Sequence, residues 1–135
     1  SKLDYKIPYR ALSGVYLVVD PERIGQVFAN IVNNAIRFTA PGGRLSIKFG
    51  LDPSKNSYTV SVADSGSGIR PEDLPHIFDR FYRAGSGTAV RAGASTGLGL
   101  TISKEIISAH QGTLTAKSPP GKGSVFTFTI PVYKE

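Results

Sequence analysis

The clearest pattern along the chain is a stripe of apolar residues that follows Asp20 and Pro21. Its members recur at spacings of three and four, as on one face of a helix: Ile24, Val27, Phe28, Ile31, Val32 and Ala35. Aspartate is a favoured N-cap and proline a favoured first helical residue, so this helix is predicted from Pro21 to about Thr39. A second amphipathic helix is predicted from Leu98 to His110, before Gly112.

Alternating apolar and polar residues predict strands around these helices. The predicted strands are Lys2 to Tyr9, Tyr16 to Val19, Arg44 to Leu51, Ser57 to Ala63, Thr113 to Lys117 and Ser124 to Val132. A short helix with Leu74 and Ile77 is predicted after Pro71. Strands that follow one another directly favour antiparallel hairpins. The predicted fold class is therefore α/β: a two-layer sandwich with helices on one face of a mixed, mostly antiparallel sheet.

One segment, from Gly85 to Thr96, consists mainly of small residues and shows no periodicity. Loops of this length in compact domains are usually functional or disordered. The segment is therefore predicted to be a mobile loop, either functional or disordered.

Composition narrows the classes of function. The 135 residues are enough for one domain with its own core. Cysteine is absent, which excludes disulfides, a thiolate nucleophile and metal binding through sulfur. The longest apolar runs fall far short of the roughly 20 residues that a membrane span needs, so the chain as given is expected to be soluble. The formal charge of +6 is scattered, which disfavours direct nucleic-acid binding and leaves attraction to a small polyanion open.

The first candidate for chemistry is the group Asp64, Gly66 and Gly68, which follows a predicted strand. The carboxylate at the strand end can accept hydrogen bonds from an exocyclic amine such as that of adenine. The glycines allow a ligand to approach the backbone closely. Two interpretations stay open from these residues alone, because an ordinary turn with an exposed aspartate favours the same residue types.

The second candidate lies on the first helix. Asn30 and Asn34 share a helix face with Arg37, at the border of the apolar stripe. An amide oxygen is a suitable ligand for Mg²⁺, and a nearby cation can contact the phosphates that the metal bridges. The alternative is a solvated flank of the helix.

The third candidate is TGLGL, residues 96–100, where the predicted loop enters the second helix. Backbone N–H groups at a helix N-terminus bind phosphate. The alternative is a flexible linker followed by a helix start. Neither the G-x-x-x-x-G-K-[ST] motif nor the G-x-G-x-x-G motif is present.

Together and in this order, these segments resemble the ATP-binding catalytic domain of bacterial two-component sensor histidine kinases. NIVNNAIRFT is similar to the asparagine box of that family, DSGSGI to its first glycine box, IFDRFYR to its phenylalanine box and TGLGL to its second glycine box. SPPGKGSVFTFTIP resembles the closing hairpin. The resemblance covers nearly the whole chain, so residues 1–135 are predicted to be one catalytic ATP-binding domain with the Bergerat-type sandwich fold.

The resemblance implies a Mg-ATP site. Asn34 would ligate Mg²⁺, and Asn30, Arg37 and Arg83 would hold the phosphates, while Asp64 would accept the adenine amine. The base would be lined by Gly66, Gly68 and Ile69 and walled by Phe38, Ile77, Tyr82 and Phe126. The triphosphate would lie against Thr96, Gly97, Leu98, Gly99 and Leu100, under a lid from Gly85 to Ser95. Phe78 and Phe81 would anchor that lid to the core, and the alternative for both is a purely structural role.

One position separates a kinase from an ATPase. Related chaperone, gyrase and mismatch-repair ATPases carry a water-activating glutamate four residues before the magnesium asparagine, and here that position is Asn30. An amide cannot act as a general base, so the resemblance implies phosphoryl transfer rather than efficient hydrolysis. The alternatives are a stand-alone ATPase or serine kinase of the same fold, and a non-enzymatic module with a degenerate pocket.

Neither histidine matches the phosphoacceptor of this family, which lies on a separate domain and is followed by Glu or Asp. His76 precedes Ile77 and His110 precedes Gln111, so both are predicted to be ordinary residues near helix ends. The chain is expected to be monomeric, not to phosphorylate itself, and to act with a helical dimerisation domain and a response regulator. The resemblance implies a cytoplasmic location, within a membrane-bound sensor as in most of the family.

Overall fold

The computed structural model describes residues 3–6, 15–39, 42–52, 56–80, 99–119 and 121–134. The elements in chain order are β1 (Leu3–Lys6), β2 (Val15–Val19), α1 (Pro21–Phe38), β3 (Leu45–Asp52), β4 (Ser57–Asp64), α2 (Gly99–Ala109), β5 (Thr113–Lys117), β6 (Ser124–Pro131) and β7 (Tyr133–Lys134). The short helix predicted after Pro71 is a 3₁₀ turn at Leu74–His76. The predicted loop, the lid and Phe81 lie outside the described residues.

Helix α1 begins and ends close to the predicted residues. The Asp20 side chain caps it by accepting a hydrogen bond from the Arg23 N–H at 3.5 Å, and Pro21 is its first residue. The apolar stripe faces inward, with Val27 and Ile31 fully buried. That face packs against β4 of the main sheet and against α2.

The main sheet has four strands in the order β3-β4-β6-β5, and every described pair is antiparallel. The predicted hairpins β3-β4 and β5-β6 are confirmed. Strand β4 also pairs with the distant β6, which sets Asp64 opposite Ser124. Burial alternates along both strands, so Val62, Asp64 and Phe126 point to the helical side. The predicted two-layer arrangement is confirmed, and it brings the end of β4 next to the start of β6.

A second, smaller sheet was not predicted as a separate unit. It has the order β1-β2-β7, and β7 is a strand of two residues that pairs with Val15 and Tyr16. Two residues are too few to show an alternating pattern. The sequence interpretation therefore missed β7 and placed all the strands in one sheet.

One hydrophobic cluster joins the helices to the sheet. Its buried members are Val19, Val27, Ile31, Ala35, Val60, Val62, Ile77, Ile106, Ile107, Leu114, Phe126, Phe128 and Ile130. No helix among the described residues is long and apolar enough to span a membrane.

Both histidines lie near helix ends, as predicted. The buried His110 follows α2, where its Nδ1 lies 2.8 Å from the Ile106 carbonyl oxygen and its Nε2 accepts the Asp20 N–H at 3.0 Å. A carbonyl requires a donor and an N–H requires an acceptor, so Nδ1 carries a proton and Nε2 acts as the acceptor. His110 thereby ties the end of α2 to the start of α1. His76 is exposed, with Nδ1 3.0 Å from Asp79 Oδ2.

Candidate functional site

Asp64 is the buried carboxylate at the end of β4, with 5% of its surface exposed. Its Oδ2 accepts the Ser124 hydroxyl at 2.5 Å, and its Oδ1 accepts the Gly66 N–H at 2.9 Å. These contacts fix the orientation of the carboxylate before any ligand binds. An ionised carboxylate offers about four acceptor positions, so it retains capacity for a further donor such as an amine.

The loop after Asp64 is held at both of its ends. At the first end, the Ser65 N–H donates to the Arg44 carbonyl at 3.0 Å and the Arg44 N–H donates to the Ser65 hydroxyl at 2.7 Å. At the second end, the Ile69 N–H donates to the Ser118 hydroxyl at 2.7 Å. Gly68 has a φ of +77°, a conformation that side chains with a Cβ rarely adopt. The loop therefore presents a defined backbone beside the carboxylate.

Asn30 connects α1 to the first two turns of α2. Its Nδ2 donates to the Gly99 carbonyl at 3.4 Å and to the Ser103 hydroxyl at 3.2 Å. Asn34 and Arg37 are half-buried on the same side of α1, one and two turns further along. This polar stripe lies at the border of the buried face, as the spacing predicted.

Apolar residues form the underside of this region. Ile77 and Phe126 are buried, and the Phe126 ring packs edge-on against Phe78 with their centroids 6.3 Å apart. Ile69 and Leu100 pack against the same cluster from the surface side. The loop that follows β4 and the start of α2 thus rest on one continuous apolar support.

Helix α2 also holds the backbone of Phe78. The Thr101 hydroxyl donates to the Phe78 carbonyl at 2.9 Å, and the Lys104 ammonium lies 4.7 Å from the centre of the Phe78 ring. A cation over an aromatic face is attracted by the electrons of the ring. These contacts fix the chain close to where the described segment 56–80 ends.

The predicted site residues whose side chains are described fall into three groups, apart from Asn34 and Arg37, which belong to none of them. The first group is Asp64, Gly66, Gly68 and Ile69; the second is Asn30 and Gly99; the third is Ile77 and Phe126 with Ile69 and Leu100. Tyr82, Arg83, Thr96, Gly97 and Leu98 lie outside the described residues, as does the side chain of Phe38. The roles of all these residues stay predictions.

Three serines were not predicted from the sequence to belong to the site: Ser103, Ser118 and Ser124. Each donates to or accepts from a predicted site residue, yet a lone serine carries no spacing signal. Only the register of β4 with β6 could have pointed to Ser124, since it stands opposite Asp64.

A metal ion predicted in this region would not need a cluster of acids. Within the ranges that the structure describes, no group of three His, Cys, Asp or Glu side chains could hold a metal ion. Mg²⁺ commonly takes one or two protein ligands and completes its shell with phosphate oxygens and water. The donor set on α1, an amide beside a cation, is compatible with such a nucleotide-bound metal.

Comparison with known proteins decides the family. A family model described as "Histidine kinase-, DNA gyrase B-, and HSP90-like ATPase" matches residues 19–134. The chain belongs to this family. The match runs from the last residue of β2 to the end of β7, and it includes every predicted nucleotide-site residue of this ATPase domain.

The curated relatives of this ATPase domain include sensor histidine kinases. The sensor histidine kinase WalK of Bacillus subtilis is 40% identical over 121 residues, which cover 90% of this chain and 20% of the relative. The sensor protein SrrB of Staphylococcus aureus is 39% identical over 112 residues, which cover 83% of this chain and 19% of the relative. The chain therefore spans about a fifth of the length of these relatives.

The solved structures that resemble this domain include histidine kinase catalytic domains. That of ThkA is 33% identical with a TM-score of 0.71, and the match covers 86% of this chain and 71% of that one. Full-length ShkA, solved in complex with AMPPNP, is 27% identical with a TM-score of 0.72, over 88% of this chain and 23% of that one. A mycobacterial sensor histidine kinase, MprB, is 24% identical with a TM-score of 0.76 over 90% and 80%, and this match supports the fold alone. The predicted family resemblance and fold class are confirmed.

Proposed function

We propose that this domain binds Mg-ATP and supplies the γ-phosphoryl group for phosphorylation of a histidine on a separate helical dimerisation domain. The observation that carries the proposal is the buried, pre-oriented Asp64 carboxylate beside a glycine loop, in a chain whose relatives are sensor histidine kinases. The setting is two-component signalling, with a response regulator as the next phosphoryl acceptor.

Adenine recognition is assigned to Asp64 and the loop after it. The exocyclic amine of adenine would donate to the remaining acceptor capacity of the carboxylate, while the base would lie against the backbone of Gly66, Gly68 and Ile69. Guanine carries a carbonyl oxygen where adenine carries that amine. Two acceptors facing each other repel, so the site is expected to prefer adenine over guanine nucleotides.

The metal and phosphates are assigned to α1 and the start of α2. Asn34 would ligate Mg²⁺, which when bound neutralises the charge on the phosphate oxygens. Asn30, Arg37 and Arg83 would contact the phosphates, and backbone N–H groups around Gly99 and Leu100 would face them at the helix N-terminus. Thr96, Gly97 and Leu98 complete the proposed phosphate segment.

Asn30 supports transfer over hydrolysis. Its amide has no basic atom to activate water, and its Nδ2 already contacts Gly99 and Ser103 of α2. A histidine acceptor needs no such base, because an imidazole nitrogen is itself the nucleophile. The nitrogen–phosphorus bond forms as the bond from the γ-phosphorus to the ADP oxygen breaks, ADP leaves, and the proton on the other imidazole nitrogen passes to water.

The acceptor is expected on another domain. Both nitrogens of the buried His110 are engaged in hydrogen bonds within this chain. His76 pairs with Asp79 and is not followed by Glu or Asp, as the acceptor histidine of the family is. The partners proposed are therefore a helical dimerisation domain and a response regulator.

Labelled ATP tests this function. The chain would be incubated with Mg²⁺ and ATP labelled on the γ-phosphate, alone and with a purified dimerisation domain from a sensor histidine kinase. We expect no label on the chain and an acid-labile, alkali-stable label on the dimerisation domain. A dimerisation domain with its acceptor histidine changed to glutamine is the control and should stay unlabelled.

Two results would contradict the proposal. Rapid phosphate release by the chain alone would indicate a stand-alone ATPase. An alkali-labile, acid-stable label would indicate a serine kinase.

A further inference from the structure

The hydroxyl of Ser118 joins two segments that are far apart in sequence. Ser118 follows β5, and its Oγ accepts the Ile69 N–H at 2.7 Å while its O–H donates to the Gly123 carbonyl at 2.7 Å. The hydroxyl thus acts as acceptor on one side and donor on the other. It links the turn between β5 and β6 to the loop that follows Asp64.

Two glycines allow these segments to approach. A Cβ built on Gly68 would lie 2.8 Å from Ser118 Oγ, and one built on Gly123 would lie 1.9 Å from the Asp64 carbonyl oxygen. Both distances are shorter than a carbon–oxygen contact permits. The turn between β5 and β6 therefore lies directly against the loop.

The loop from Asp64 to Ile69 is consequently fixed at two points by residues 118–124, which connect β5 to β6. Ser124 orients the Asp64 side chain at the first point, and Ser118 holds the Ile69 backbone at the second. In the proposed adenine site, the Asp64 carboxylate and the backbone of Gly68 and Ile69 must lie at a fixed distance from each other. A shift of the Ile69 end would change that separation without touching the carboxylate.

We propose that Ser118 is a positioning residue for nucleotide binding, which sets where Gly68 and Ile69 stand relative to Asp64. The inference rests on the proposed function, because it assumes that the base lies on this loop. Ser118 acts through the backbone of Ile69 and needs no contact with the ligand. Its hydroxyl is required in both of its hydrogen-bonding roles.

Three variants test the inference. Ser118→Ala removes the hydroxyl, Ser118→Thr keeps it, and Thr115→Ala is the matched control. Thr115 is an exposed hydroxyl residue in the middle of β5, three residues before Ser118, with its side chain on the outer face of the sheet. ADP binding with Mg²⁺ would be measured by calorimetry well below the unfolding temperature. Amide hydrogen exchange at Ile69 would be measured by NMR without nucleotide.

We expect Ser118→Ala to weaken ADP binding by about tenfold, as for a lost hydrogen bond of typical strength. The Ile69 amide should exchange faster in that variant, because its acceptor is gone. Ser118→Thr should restore both properties, and Thr115→Ala should bind as the wild type does. A role in stability alone would lower the unfolding temperature and leave the ADP affinity unchanged.

The outcomes separate the two proposals. If the wild type binds ADP and Ser118→Ala binds it equally well, the inference is wrong and the proposed function stands. The inference is also wrong if Ser118→Thr restores neither property. If the wild type binds no ADP, the proposed function fails and the inference falls with it.

Discussion

Asp64 is oriented by two groups that come from different parts of the chain, the Ser124 hydroxyl and the Gly66 N–H. Aspartate at a strand end followed by glycines was enough to single it out from the sequence. The fixed orientation was not predictable, because Ser124 lies 60 residues away and meets Asp64 only through strand pairing. A pre-oriented acceptor loses less freedom when a ligand binds, which favours affinity.

Asn34 carries the proposed magnesium contact, and its removal has a specific expected effect. Asn34→Ala should abolish most of the increase in ADP affinity that Mg²⁺ provides, because the metal loses its protein ligand. ADP affinity measured in EDTA should change by no more than about twofold, because without Mg²⁺ the Asn34 side chain makes no proposed contact with the nucleotide. Calorimetry with and without Mg²⁺ measures both values.

The neighbouring asparagine provides a matched control for that variant. Asn33 is exposed on the same helix turn, so Asn33→Ala should leave both affinities unchanged. An Asn34→Ala protein that still gained the full wild-type affinity on addition of Mg²⁺ would exclude Asn34 as the ligand.

The two helices are tied together at both ends of α2. Asn30 contacts its first two turns at Gly99 and Ser103, and His110 connects its end to the backbone N–H of Asp20. The periodicity of each helix predicted its existence and its buried face. The hydrogen bonds between the helices depend on how the helices pack. The apolar periodicity of one helix does not predict that packing.

His110 should contribute to stability through this tie. In His110→Ala the Asp20 N–H loses its acceptor, so we expect a loss of about 2 kcal/mol or more in the free energy of unfolding. His76→Ala is the control, because His76 is exposed, and it should change stability by no more than about 0.5 kcal/mol. Urea denaturation measures both. Equal losses in the free energy of unfolding for the two variants would show that the buried contacts of His110 do not stabilise the fold.

Two glycines of the turn between β5 and β6 form a second matched pair. Gly121 and Gly123 both have positive φ, but a Cβ at Gly121 would meet no atom within 4 Å, whereas one at Gly123 would meet the Asp64 backbone. Gly121→Ala should cost about 1–2 kcal/mol from its backbone conformation alone. Gly123→Ala adds an overlap with backbone atoms and should cost roughly 3 kcal/mol or more.

Chemical denaturation of both glycine variants checks this difference. Gly123→Ala should also weaken ADP binding, since relief of the overlap displaces Asp64. Comparable stability and comparable ADP affinity of the two variants would contradict the close approach of the turn to β4.

Considered as a whole, the domain was predictable where local pattern determines structure. The apolar stripe of α1 and the alternation in β3 and β4 predicted the sandwich, and the ordered motifs predicted the family. The separate sheet formed through β7 was missed, because two residues joined by long-range pairing leave no local pattern. Ser118 and Ser124 were missed for the same reason, since their contacts follow from strand register.

The affinity for Mg-ADP, measured by calorimetry for the wild type and Asp64→Asn, tests most directly whether this domain binds adenine nucleotide through Asp64. We expect the wild type to bind in the micromolar range. Asp64→Asn should bind at least about tenfold more weakly, because the side chain loses its charge and one of its two acceptor oxygens becomes a donor. The exposed acid Asp79 provides the control, and Asp79→Asn should bind as the wild type does. A wild type without binding at millimolar nucleotide, or an Asp64→Asn protein with wild-type affinity, would contradict the account.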